Sequence, residues 1–394
     1  MATHTYEFRK LIAPFTPEDF FRDHWEQKPL LIRREQREHY ADLLSLAEFD
    51  RVISTQRLMH PECFIANAAR QVGAEEYTHA NGQIDVGRIY QQFADGGTIV
   101  FNALEHFIPP LAALCRSLER EISSRFQCNI YCSPAKAQGF PTHYDSHDVF
   151  ILQLHGTKHW ILYNTPVELP FKGQPFRRNE TPKGDVTEEF DLHPGDMLYV
   201  PRGVMHDAQT REGETLHITL GALTNTWTEV LLEAVAKVAL GDPAFRRSLP
   251  VGYARTEFDR TEARAYFASL MRTLGERADV DAALDHFADD LVSTRHALLD
   301  GQMAQVLRLS TLSAKDRAGA RPNLVYRWRM HEDQYVVSCY GSEMRLPEHA
   351  AEPARFALEN SDFVIEDLPG DLDDAGKLVL IKRLVREGMV RILD

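Results

Sequence analysis

Gly139-Phe-Pro-Thr-His143-Tyr-Asp145-Ser-His147-Asp-Val-Phe-Ile-Leu-Gln-Leu-His155-Gly-Thr-Lys158-His159-Trp160 is the stretch on which the reading of this chain turns. It holds a His-x-Asp pair, His143 and Asp145, whose side chains point to the same side of an extended strand. A second stretch, Gly195-Asp-Met-Leu-Tyr-Val-Pro201-Arg-Gly-Val-Met-His206, follows downstream. Its turn at Gly195, short apolar strand and rigid bend at Pro201 aim His206 inward. Two imidazoles and one carboxylate on one face of a metal leave its other positions open, which is the donor set of a non-haem Fe(II) centre. The same donors also suit Zn or Mn, or an inert relic of such a site.

Other histidines compete for the role. His147, His155, His159, His193 and His217 lie in the same region, and a lone histidine is as a rule surface or satisfied core. His147 shares the parity of His143 and Asp145, so spacing excludes it only if the chain bends after Asp145. His217, in Leu216-His-Ile-Thr-Leu220, faces either way and has no matched partner. Lys158 lies fifteen positions after His143. Deep in a pocket, a single cation would pair with the distal carboxylate of 2-oxoglutarate while the other end of that molecule chelates iron. On a hairpin it would simply be solvated. Asn129 and Tyr131 share one face of their strand and offer hydrogen bonds to the same ligand, or are ordinary strand polarity.

From about Gln127 to Asn225 the pattern is one of short β-type runs between turn signals. Asn129–Cys132, Val149–Leu154, Trp160–Tyr163, Met197–Val200 and Leu216–Leu220 are the clearest. Many short strands of this kind predict a double-sheet jelly roll, the cupin architecture or double-stranded β-helix, within an α+β fold. Ahead of it, Thr16-Pro-Glu-Asp19 predicts a helix start, with Phe20, Phe21, His24 and Trp25 on a helical stripe and Leu30–Ile32 a short buried strand. After Trp227 the sequence turns helical, over 229–240, 261–274 and much of 280–307, as expected of a linker or dimerisation block. The last segment mixes a strand at 335–339, helices at 350–358 and 374–387 and a closing strand at 388–393, an order expected of a small winged-helix-like domain. The domains are thus read as 1–226, 227–320 and 321–394.

Composition narrows the function classes. The chain has 394 residues, 44% hydrophobic and 26% charged, which is the make-up of an ordinary globular protein. No apolar run approaches the roughly 18 residues of a membrane span, and from Met1–Lys10 no secretory leader is expected. Five cysteines without a Cys-x-x-Cys pair predict free thiols in a reducing compartment, hence the cytoplasm. The net charge of -14 argues against a nucleic-acid binder and fits a basic protein or peptide partner. Residues 345–394 carry 7 Lys/Arg against 11 Asp/Glu, a net of -4, so direct DNA binding through this tail is not expected.

Taken together, Phe20-Phe-x-x-His-Trp-Glu-x-Lys-Pro-Leu-Leu-Ile32, Asn129-Ile-Tyr131, His143 to Gln153, Gly156-Thr-Lys-His-Trp160 and Pro201 to His206 resemble the Jumonji-C ribosomal oxygenases over nearly the whole chain. The resemblance implies an Fe(II)- and 2-oxoglutarate-dependent dioxygenase that hydroxylates a protein side chain, usually as a homodimer through the helical block. It carries the metal triad over to His143, Asp145 and His206, the cosubstrate cation to Lys158, and pocket positions to Asn129 and Tyr131. Bacterial members that hydroxylate arginine in a ribosomal protein carry Arg at the position of Lys158, whereas histidine-hydroxylating relatives carry Lys. Some relatives have a pocket serine where this chain has Gly221. The target, Arg or His and ribosomal or not, therefore stays open. A peptide-tailoring hydroxylase, a demethylase and a non-catalytic cupin binding module are the other readings.

Overall fold

A computed structural model describes residues 7–177 and 181–393. The first six residues of the stretch read for a leader lie outside the described residues. Ten strands build the first half: β1 Leu30–Ile32, β2 Cys63–Ala66, β3 Thr98–Phe101, β4 Arg125–Ser133, β5 Asp148–His155, β6 Lys158–Tyr163, β7 Val186–Leu192, β8 Met197–Val200, β9 His206–Thr210 and β10 Thr215–Leu223. They form two antiparallel sheets, one in the order β1-β8-β5-β10-β4-β3-β2 and one in the order β7-β6-β9. The expected double-sheet core is present.

The period of two along a strand sorts the side chains of the larger sheet. Phe126, Cys128, Ile130 and Cys132 of β4 and Leu216, Ile218, Leu220 and Ala222 of β10 face outward into the main core. That core is closed by helices α1 Phe8–Ile12, α2 Pro17–Asp23, α3 Leu46–Thr55, α4 Val86–Ala94 and α5 Pro109–Ile122. The alternate residues, Tyr131, His217 and Thr219, face the smaller sheet and line a cavity. Beside that cavity the two sheets are held together by an apolar cluster of Val149, Ile151, Trp160, Leu162, Leu198 and Val200. Burying one apolar and one polar face of the same strands is what creates room for a site.

Thr16 caps α2 as expected, its Oγ1 accepting from Asp19 N at 3.1 Å. The helix then ends earlier than the aromatic stripe suggests. Its last residue is Asp23, and Glu26 has a φ of 57°, which no right-handed helix accommodates. Trp25 therefore leaves the helix and stacks on Tyr199, with ring centroids 5.9 Å apart.

Helices α6 Trp227–Gly241, α7 Thr261–Arg277, α8 Val280–Ser293 and α9 Gln302–Arg308 form the middle block. No residue of α7 is buried. The last unit comprises β11 Arg317–Ala320, β12 Arg327–His331, β13 Gln334–Cys339, β14 Ser342–Leu346, α10 Glu348–Glu359, β15 Phe363–Val364, α11 Asp374–Arg386 and β16 Val390–Ile392. Its sheets run β15-β11-β16 and β12-β13-β14. Residues 317–320, read from sequence as the end of the helical block, thus belong to the last unit's sheet, and Leu309, Leu312 and Ala318 pack into its core. Arg-Ala-Gly-Ala carries none of the branched or aromatic side chains that advertise a strand, and its partners lie far downstream. Buried Arg116 and Glu119 of α5 tie the units together through Arg295 and the His296 carbonyl. No helix among the described residues is long and apolar enough to cross a membrane.

Candidate metal centre

His206 opens β9, but His143 and Asp145 do not lie on a regular strand. They sit in an irregular run ahead of β5, joined to β9 by a single bridge in which His143 N donates to His206 O (3.1 Å) and His206 N to His143 O (2.8 Å). Gly203 N donates to Asp145 O at 3.0 Å, which holds the run against the loop that delivers His206. Gly203 has a φ of 90°, a conformation that favours glycine, so the residue type is set by this turn. The outcome is a compact set of donors. His143 Nε2 lies 3.8 Å and His206 Nε2 3.7 Å from the two carboxylate oxygens of Asp145. All three ligand atoms fall within 4.8 Å of one another, and no other group of this kind occurs among the described residues.

Hydrogen bonds orient the rings. Nδ1 of His143 lies 2.9 Å from Pro141 O, and Nδ1 of His206 lies 3.0 Å from Val204 O. A carbonyl accepts only from N–H, so each Nδ1 carries the proton and each Nε2 presents its lone pair to the centre. Burial, with His143 alongside, pushes His206 down to about 4, which keeps it neutral and ready to ligate. Burial pushes Asp145 the other way, but His143 and His206 outweigh it and leave the carboxyl below its usual range. His147 is not part of the group. The chain bends at Ser146 and His147, which ends the strand parity, and the His147 ring packs where a Cβ on Gly221 would lie, only 2.8 Å away.

The cavity, of about 260 Å³, lies between the sheets and is lined by the triad together with Tyr131, Lys158, Trp160, His217 and Thr219. Lys158 begins β6 and is 3% exposed, so it is not a solvated hairpin lysine. Its Nζ donates to Ser133 Oγ at 3.1 Å, and Ser133 in turn shares a 2.9 Å hydrogen bond with Thr98. Burial pushes the ammonium down to about 8. His217 faces the cavity, stacked on Tyr131 at 4.8 Å, and its Nδ1 has no hydrogen-bond partner. Asn129 shares the inward face of β4 but does not line the cavity. It stands one pair further out, opposite Thr219, and its Oδ1 accepts from Ala103 N at 3.2 Å. Ser133, Thr98 and Thr219 escaped sequence reading. Ser133 continues the parity of Asn129 and Tyr131 and was findable, whereas Thr98 comes from a separate strand with no local signal.

The buried histidines carry a pH signature. Burial pushes both His206 and His217 below 6.5, the latter well below. Between pH 6.5 and about 4 the unfolded chain therefore binds protons that the folded chain refuses, and stability falls as pH falls. We expect the metal-free protein to lose roughly 3 kcal/mol through His206 alone across that window, read by urea unfolding at stepped pH. Stability that is flat from pH 7 to pH 5 would contradict this.

The sheets and the triad define a class. Residues 103–230 match the JmjC domain family, so the chain carries a JmjC domain. It is 31% identical over 284 residues to Ribosomal oxygenase 2 of Mus musculus (69% of this chain, 60% of the relative). It is 29% identical over 371 residues to Ribosomal oxygenase 1 of Danio rerio (89% and 65%). The chain thus carries a JmjC domain and is similar over most of its length to proteins named ribosomal oxygenases. It spans about three fifths of the length of the curated relatives it matches. The fold agrees with that of E. coli ycfD, with a TM-score of 0.60 at 17% identity, covering 96% of this chain and 98% of that one. It also agrees with the structure of YcfD, a ribosomal oxygenase from Escherichia coli, in complex with cobalt and 2-oxoglutarate (TM-score 0.54, 18% identity, 97% and 99% covered).

Proposed function

We propose that the chain is an Fe(II)- and 2-oxoglutarate-dependent oxygenase that hydroxylates an arginine or histidine side chain of a protein, a ribosomal protein being the first candidate. One observation carries the reading. A two-histidine, one-carboxylate triad and a buried lysine with spare hydrogen-bonding capacity open into the same cavity. The donor set fits Fe(II), since both Nε2 lone pairs and a carboxylate below its usual range converge. Lys158 fits an anionic cosubstrate, since a buried ammonium held by one neutral hydroxyl gains from a carboxylate partner. The solved relative bound to cobalt and 2-oxoglutarate supports the same pairing of groups.

His143, Asp145 and His206 would hold the metal, and Lys158, with Tyr131 beside it, the distal carboxylate of 2-oxoglutarate. When bound, iron and 2-oxoglutarate would supply the means to reduce O2, one oxygen atom going into succinate as 2-oxoglutarate loses CO2 and the other turning a C–H bond of the substrate into C–OH. The chain's own work is placement. The carbonyls of Pro141 and Val204 keep the ligand rings in one tautomer, and Val149, Ile151, Trp160 and Ala208 give the cavity apolar walls that exclude water.

The wider organisation follows the same reading. The helical block exposes Trp227, Leu231, Leu232, Phe267 and Met271, a surface that supports a homodimer through this block. The last unit is read as winged-helix-like and as a packing module. The acidic surface suits a basic protein substrate, and five unpaired, buried cysteines suit the cytoplasm.

The test is succinate formation dependent on Fe(II) and 2-oxoglutarate, with mass mapping of ribosomal proteins trapped by a triad variant. A stable gain of one oxygen supports hydroxylation, loss of a methyl group indicates a demethylase, and no turnover leaves a binding module. Lys158 gives a sharper readout. We expect Lys158→Ala to raise the apparent 2-oxoglutarate requirement about 10- to 100-fold, the loss of one charge-assisted hydrogen bond, with metal binding intact. Because only the protonated lysine pairs with the carboxylate, the wild-type requirement should be flat below about pH 8 and rise above it. An unchanged requirement in the variant would remove Lys158 from the site.

A further inference from the structure

The bridge that joins the two histidine ligands has a reverse face. Because His143 and His206 pair antiparallel, Thr142 and Asp207 stand opposite each other one step along, with side chains turned away from the metal side. Asp207 is 8% exposed. One of its oxygens, Oδ2, accepts from Thr142 Oγ1 at 2.6 Å and from Tyr163 OH at 2.9 Å, and lies 3.5 Å from Lys183 Nζ. Lys183 in turn sits over the Tyr163 ring at 4.4 Å. Tyr163 closes β6, and its backbone N donates to Met205 O at 2.8 Å, next to the ligand. A single carboxylate oxygen thus gathers the residue before His143, the residue after His206 and the end of the neighbouring strand.

The run from 141 to 147 is irregular, and its pairing with β9 is a single bridge. Besides the two hydrogen bonds of that bridge, among the described residues only that from Gly203 N to Asp145 O pins the backbone of the run, so backbone bonds alone leave its tilt, and with it the separation of the two Nε2 atoms, weakly determined. A bond between side chains on the reverse face removes that freedom, and its burial makes it stiff, since water does not compete for the carboxylate.

We propose that Asp207 is a positioning residue of the metal centre: by binding Thr142 and Tyr163 from behind the His143–His206 bridge, its carboxylate sets the ligand geometry and with it the affinity for a divalent ion. The inference rests on reading the triad as a metal centre. The probe is Co(II), followed by its visible absorption in the full chain, alongside thermal melting of the metal-free protein. Asp207→Ala is expected to weaken Co(II) binding about 10- to 100-fold and to alter the absorption bands. Thr142→Val, which keeps shape and removes one donor, shifts both in the same direction by less, and Thr142→Ser retains wild-type behaviour with a metal-free melting temperature like that of the valine variant. Wild-type affinity and spectrum in Thr142→Val overturn the proposal, even if Asp207→Ala binds poorly, because that loss then reflects folding alone. A failure of the underlying reading looks different: wild-type protein that takes up no Co(II), or His206→Ala that binds as well as wild type.

Discussion

His206→Ala is expected to abolish the proposed iron-dependent succinate formation and to weaken metal binding by more than about 100-fold, beyond what changes to groups behind the ligands cost. The variant loses one of three donors that lie within 4.8 Å of one another, and no other His, Cys, Asp or Glu among the described residues joins that group. His147, the nearest rival by sequence, is packed against Gly221. The fold survives, because the imidazole is buried and neutral, and its side-chain Nδ1 bond goes to one carbonyl two residues away. The metal-free variant also loses part of the acid sensitivity described above, since one of the two buried neutral histidines is gone. Metal titration, succinate assay and urea unfolding at pH 7 and pH 5 check the three statements. A folded His206→Ala with full turnover would sink the ligand assignment.

Arg202→Met is the largest expected loss of stability. Arg202 is 8% exposed and Asp148 fully buried. Nη1 of Arg202 donates to Asp148 Oδ2 at 2.8 Å and to Glu26 Oε1 at 2.5 Å, while Tyr199 OH donates to Asp148 Oδ1 at 2.8 Å. Burial pushes the Asp148 carboxyl above its usual range even with Arg202 beside it, which means that the carboxylate depends on its partner. Removing the guanidinium leaves the buried carboxylate with no opposite charge, only the Tyr199 hydroxyl and the backbone N–H of residue 202 at 3.4 Å, a change that costs about 3–5 kcal/mol. Asp148 opens β5 three residues after Asp145, and Arg202 lies in the loop that delivers His206. The same variant should therefore also weaken metal binding. Replacing both partners, as Arg202→Met with Asp148→Leu, should recover much of the loss, because no charge is then stranded. Urea unfolding of the single and double variants measures this. A single-variant loss under about 1 kcal/mol would show that the pair does not hold the two ligand loops.

Some of the site could be read without coordinates because it is local. His143 and Asp145 are two positions apart, His206 follows a turn and a proline, and the alternation in Asn129–Cys132 and Leu216–Leu220 marks one apolar and one polar face. Strand periodicity placed Tyr131 inward, where it stacks on His217. The same periodicity gives the right parity at Asn129, whose Oδ1 accepts from the backbone of Ala103. Periodicity failed at the N-terminal aromatics, where a left-handed Glu26 ends the stripe.

The sequence by itself determined the chemistry on offer: the ligand types, the lysine and the strand parity that aims most of them, each legible in a short local stretch. Only the tertiary structure decided which histidines meet, that Lys158 is buried against Ser133 and Thr98, and that Asp207 backs the ligand bridge. Each of those facts depends on the register between strands distant in the chain and on a bend at Ser146 and His147. Register and bends are set by how two sheets close on a shared core, which no local pattern encodes.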